Sequence, residues 1–180
     1  YAFILAGQKM VNIKGLTCTY CNADGVLVNS ASELTIEDCI IEHCYKGIDV
    51  VSQSRLVAKN VEFAYGEPYF GSDHRGVFVW KLSYAQFIDC DFHDHDICVS
   101  SNMRSIVEMV NCSVSNCRRG YSIATSHLTF SGTGNSINNY GGGTAISAVR
   151  FSVVRYYGSA DVVFDDSGTN WNLEDSLLKN

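Results

Sequence analysis

One glycine-rich position recurs along this chain about every 22 residues, and no other feature narrows the accessible folds so far. Gly25, Gly47, Gly76, Cys98, Gly120 and Gly143 are spaced 22, 29, 22, 22 and 23 residues apart. Each is followed by a short alternating segment: Val26 and Val28, Ile48 and Val50, Val77 and Val79, Val99 and Ser101, Tyr121 and Ile123, Thr144 and Ile146. Alternation with period two over a few residues marks a strand. Farther along each repeat lies a second apolar pair: Val11/Ile13, Leu34/Ile36, Leu56/Ala58, Ala85/Phe87, Val107/Met109 and Leu128/Phe130. A third pair completes it: Cys39/Ile41, Val61/Phe63, Cys90/Phe92 and Cys112/Val114. Three strands per repeat exceed what an armadillo-type unit holds and fall short of a propeller blade. The spacing predicts an all-β right-handed parallel β-helix, a solenoid of about seven coils with three short strands per coil.

Stacked coils place equivalent residues in columns about 4.8 Å apart. Asp38, Asn60, Asp89 and Asn111 share one position before the third strand, where short polar side chains bond nearby backbone, so they read as a turn ladder. Cys39, Cys90 and Cys112 form another column, and Cys44, His95 and Cys117 a further one, to which Cys21 aligns. Buried small hydrophobes explain these cysteines, and side chains stacked in parallel suit a disulfide poorly, so free thiols are expected. Cys18-Thr19-Tyr20-Cys21 has zinc-knuckle spacing without a second pair at that spacing, so neither metal nor cofactor is expected.

A net charge of −6 provides no basic footprint for nucleic acid or anionic lipid. No apolar run approaches the ~20 residues that span a bilayer. P-loop, dinucleotide-binding and nucleophile-elbow motifs are missing. Residues 1–158 read as the β-helix body, and 159–180 break the period and read as a cap or a link to a further module.

With its three short strands per coil, Asx and Cys columns and one long turn, the chain resembles the right-handed β-helix, or pectate-lyase-like, superfamily over residues 3–158. An aromatic, Asn/Ser-rich surface and irregular coils make it most similar there to a bacteriophage tailspike or tail-fibre protein. That resemblance implies a homotrimer in the virion tail, assembled in the host cytoplasm beside other tail proteins, which binds or cleaves host surface polysaccharide. Polygalacturonase-like members carry paired Asp residues with a His-bearing turn and a basic residue. Here Asp165-Asp166 stands alone and Gly71-Ser72-Asp73-His74-Arg75-Gly76 is a loose echo, which argues against pectinase chemistry.

The 29-residue interval puts seven extra residues into segment 65–75, and added loops on repeat scaffolds often carry function. Tyr65, Tyr69 and Phe70 are candidates to stack on sugars, and Glu67, Asp73, His74 and Arg75 to bond hydroxyls. Glu62 and Asp91 fall at one register position in adjacent coils and are predicted to face outward roughly 5 Å apart. That is the carboxylate spacing of retaining glycoside hydrolases, and like charge at that distance raises one pKa, as an acid requires. Glu42 and His93 lie two residues farther along. The competing reading is a solvated pair tolerated at small cost beside a loop that covers a neighbouring coil. If the chain is an enzyme, a glycoside hydrolase is expected. The alternatives are a structural spacer or decoration element that contacts subunits through faces bearing Val110, Tyr140 or Tyr156, and a bacterial polysaccharide lyase or hydrolase. A lyase needs a basic residue near acidic ligands, and register does not cluster Lys59, Lys81 and Arg75.

Overall fold

A computed structural model describes residues 1–21, 23–65, 74–138 and 144–157, and as backbone strands 162–164, 169–174 and 177–179. Coil 1 is β1 (Phe3–Leu5), β2 (Met10–Lys14) and β3 (Thr17–Thr19), and coil 2 is β4 (Asp24–Val28), β5 (Glu33–Glu37) and β6 (Ile40–Glu42). Coil 3 is β7 (Lys46–Val50), β8 (Arg55–Lys59) and β9 (Glu62–Ala64), and coil 4 is β10 (Arg75–Val79), β11 (Tyr84–Ile88) and β12 (Asp91–His93). Coil 5 is β13 (Ile97–Asn102), β14 (Ile106–Val110) and β15 (Ser113–Ser115), and coil 6 is β16 (Arg119–Ala124), β17 (His127–Ser131) and β18 (Asn135–Asn138). Coil 7 is β19 (Thr144–Val149), β20 (Val153–Tyr156) and β21 (Val162–Phe164), followed by β22 (Thr169–Glu174) and β23 (Leu177–Lys179). First, second and third strands assemble into three sheets, and every strand pair is parallel. The predicted β-helix is therefore present. Among the described residues no helix is long and apolar enough to cross a membrane.

The inward columns follow the predicted register: Leu34, Leu56, Ala85, Val107 and Leu128 align in sheet 2, and Ile41, Phe63, Phe92 and Val114 in sheet 3. β-branched and aromatic residues suit such half-buried pleated surfaces. Phe63 is fully buried, stacked on Phe92 at 4.6 Å and edge-on to Phe87 at 5.9 Å.

The recurring small position begins each coil's inward turn. A Cβ at Gly47 would lie 2.5 Å from the Gly76 carbonyl oxygen, so close coil contact there excludes a side chain without a backbone shift. In coil 7 the position belongs to Ala145, not Gly143, because Tyr121 pairs with Ile146 and a Cβ at Gly120 points at the Ala145 carbonyl. A shift of two residues preserves alternation, so the sequence pattern could not distinguish the two registers.

Left-handed backbone marks the corners. The Asx ladder is present: Asp38, Asn60, Asp89 and Asn111 all have φ between 50° and 53°. Asn60 donates to Asp38 at 2.7 Å and Asn111 to Asp89 at 3.2 Å. Asn and Asp tolerate this conformation better than most residues. A second ladder lies at the corner before sheet 2, where Ser32, Ser54, Ser83, Ser105, Ser126 and Ser152 are all buried. Each of the first five donates its backbone N–H to the next serine's Oγ at 3.2–3.4 Å. This column was not read from the sequence, although its serines recur with the same period.

Cys39, Cys90 and Cys112 are free and buried, each donating to the carbonyl two residues back at 3.2–3.3 Å. The expectation of no disulfide needs correction: Cys98 and Cys117 are bonded, with Cα atoms 6.4 Å apart. These residues come from different columns that face each other across a corner, whereas the expectation of free thiols concerns partners stacked within one column. The expected end of the body at residue 158 also shifts, because β21, β22 and β23 pair with β18, β19 and β20 and continue all three sheets.

Candidate functional site

On the outer face of sheet 3, Glu62 and Asp91 are direct register partners, as the repeat predicted. With Asp38, Asn60 and Asp89 they line a groove of about 360 Å³. Four carboxylates thus face one shallow groove, a surface suited to accepting hydrogen bonds from hydroxyls or to attracting cations. Glu62 Oε1 lies 3.1 Å from His93 Nε2, and His93 Nδ1 lies 2.7 Å from Asp94. Ser113 donates to Asp91 at 2.5 Å, and Asn116 donates to Asp94. Burial pushes the His93 imidazolium down, but hydrogen bonds to Asp94 and Glu62 and the charge of Asp91 outweigh it, so its pKa is raised. Glu62–His93–Asp94 is thus a hydrogen-bonded carboxylate–imidazole–carboxylate chain able to hold a proton beside the groove.

Next to it, at the corner after sheet 3, runs a row of rings. Tyr20 stacks on His43 at 4.6 Å, His43 on Tyr65 at 5.4 Å, and Tyr65 meets His93 edge-on at 5.2 Å. Tyr20, His43 and Tyr65 share the left-handed conformation and one repeat position. The sequence reading found Tyr65 and His93 but missed Tyr20 and His43, which the same repeat would have placed. The row also changes the surroundings expected of Tyr65: one of its faces stacks on His43, and His93 meets it edge-on. Tyr20 is 70% exposed and stacks on His43.

Other expected site residues lie apart. His74 is buried, with Tyr45 edge-on at 5.4 Å, and among the described residues neither of its ring nitrogens has a hydrogen-bond partner, so it does not face the groove. Arg75 begins β10 in sheet 1, its guanidinium 4.4 Å from the Phe78 ring centre and bonded to Ser100 at 3.3 Å, so it does not join the groove. Glu67, Tyr69, Phe70, Asp73, Tyr140, Asp165 and Asp166 lie outside the described residues. Tyr156 stacks on Phe130 at 5.3 Å and packs against the core, so it does not present an outer contact face.

The zinc-knuckle spacing also takes on a different aspect. Cys18, Cys21 and Cys44 bring their sulfurs within 4.8 Å of one another. No second pair at that spacing is needed, because the next coil supplies the third thiol, Cys44. Hydrogen bonding from Cys44 first, then Cys21, pulls the Cys18 thiol down to about 6 against the opposing effect of burial.

The family model described as "Right handed beta helix region" matches residues 1–167. No curated protein matches. Among solved structures the chain aligns with trypsin-treated QnrB1, a plasmid-mediated fluoroquinolone resistance protein. Identity is 14% over 97% of this chain and 92% of that chain, with a TM-score of 0.23, a likeness that carries no argument. The matched span and the three parallel sheets agree, and the chain belongs to the right-handed β-helix family.

Proposed function

We propose that this chain is a tailspike or tail-fibre β-helix of a bacteriophage, in which the outer face of sheet 3 binds an extended surface polysaccharide of the bacterial host. The observation that carries the reading is the acidic groove of Asp38, Glu62, Asp89 and Asp91 running beside the Tyr20–His43–Tyr65 row. Carboxylates accept hydrogen bonds from sugar hydroxyls, and the exposed ring of Tyr20 offers an apolar surface for a pyranose ring. Members align at the coil repeat, so a linear chain of similar units meets similar groups along the stack.

The same face would support hydrolysis with retention: Glu62 and Asp91 stand on adjacent strands, and His93 binds Glu62. The test is binding and depolymerisation of purified host capsular and lipopolysaccharide chains by the whole protein, with Tyr20→Ala, Glu62→Gln and Asp91→Asn. Tyr20→Ala is expected to weaken binding about tenfold, a loss of about 1.4 kcal/mol. Loss of turnover with retained binding in both carboxamide variants identifies a catalytic pair. Unchanged binding in Tyr20→Ala and Glu62→Gln would overturn the reading.

A second reading, an assembly element that forms a homotrimer and contacts other tail proteins, is favoured by exposed apolar side chains near the serine-ladder corner. Leu82, Met103, Ile106 and Phe151 are exposed there, and two adjoining grooves include them. Patches of this sort mark contact surfaces. Light scattering that shows a monomer for the intact protein would exclude it.

A further inference from the structure

The corner joining coils 1 and 2 departs from its equivalents elsewhere in the stack. Cys18 pairs with Ile41 and continues a column whose later members are Phe63, Phe92, Val114 and Ile137, all bulky and apolar. Cys21 follows on the same turn, its sulfur 3.6 Å from that of Cys18, and Cys44 completes the group from the next coil. Gly25 leaves room for them: a Cβ there would lie 3.1 Å from the Cys44 sulfur and 3.2 Å from the Cys18 sulfur. Cys18 and Cys44 are buried, whereas Cys21 is half-buried, so the group opens to solvent on one side.

We infer that Cys18, Cys21 and Cys44 form a three-thiolate site for a thiophilic metal ion, zinc above all, with a fourth position open toward the Cys21 side. Zinc–sulfur bonds of about 2.3 Å in tetrahedral geometry place sulfurs about 3.8 Å apart; the three sulfurs already lie within 4.8 Å of one another, those of Cys18 and Cys21 3.6 Å apart. Thiolate ligands select zinc over hard cations such as calcium or magnesium. A disulfide is the competing use of these residues, but it joins two sulfurs and does not account for the third. Binding would tie coil 1 to coil 2, because two ligands come from one and the third from the other. Each ligand must lose its thiol proton, so uptake near neutral pH releases protons in step with metal.

The test uses the whole protein, reduced and stripped of metal, titrated with Co²⁺ and then Zn²⁺. The expected result is a saturable sulfur-to-cobalt charge-transfer band with one equivalent bound per chain, displaced by Zn²⁺, and protection of Cys18, Cys21 and Cys44 from alkylation by bound zinc. Cys21→Ser, at the half-buried position that best tolerates change, is expected to weaken Co²⁺ binding at least about tenfold, as is Cys44→Ser, while Cys90→Ser leaves it unchanged. No charge-transfer band in the unmutated protein would overturn the inference. So would undiminished binding in folded Cys21→Ser, or alkylation of the three cysteines at the same rate with and without zinc.

Discussion

Acidification should unfold this β-helix partly through one buried side chain, His95. The ring lies in the inward column shared with Cys44 and Cys117 and is 6% exposed. Burial lowers its pKa from 6.5 to about 4. A base with a depressed pKa binds its proton more readily when unfolded, so stability falls as pH drops below 6.5 and levels off below about 4. The gap between the two values, at about 1.4 kcal/mol per pH unit, corresponds to about 3 kcal/mol in the acid limit and about 2 kcal/mol at pH 5. Urea unfolding of the native protein and of His95→Leu at pH 7 and pH 5 isolates this contribution, because carboxylates and other histidines titrate alike in both. His93 has the opposite sign: its raised pKa gives stability that is complete below its unfolded value and fades as pH rises through the folded one. The native protein should lose about 2 kcal/mol more than His95→Leu between pH 7 and pH 5. Equal losses in the two proteins would refute the argument.

Ser83→Ala should cost about 1–3 kcal/mol, since it leaves the buried Ser54 N–H and Trp80 carbonyl without their bonds to the hydroxyl; chemical denaturation against Ser113→Ala at the surface checks it. Phe63→Ala removes a fully buried ring stacked between coils and should cost about 3–5 kcal/mol, read from the same transition. Glu62→Gln replaces the charged acceptor of His93 by a neutral amide oxygen and so weakens one of the hydrogen bonds that raise His93; its imidazole pKa should fall when followed by NMR titration, and an unchanged value would place the raising interaction elsewhere.

Period and alternation sufficed to determine the solenoid and its three faces, because stacking converts a repeat in sequence directly into columns in space. They also placed Glu62 opposite Asp91 and the Asx ladder at its corner. Contacts across a corner were beyond them. The bond between Cys98 and Cys117 and the approach of Cys18 to the Cys21 and Cys44 sulfurs join positions from different columns. Their approach depends on how sharply the backbone turns, which local alternation does not encode. The two-residue ambiguity between Gly143 and Ala145 had a similar cause, since a shift of two keeps every side chain on its own face. The sequence by itself determined which residues point inward and which coils they share, while the tertiary structure alone decided which of them meet across the corners, where chain curvature sets the distance.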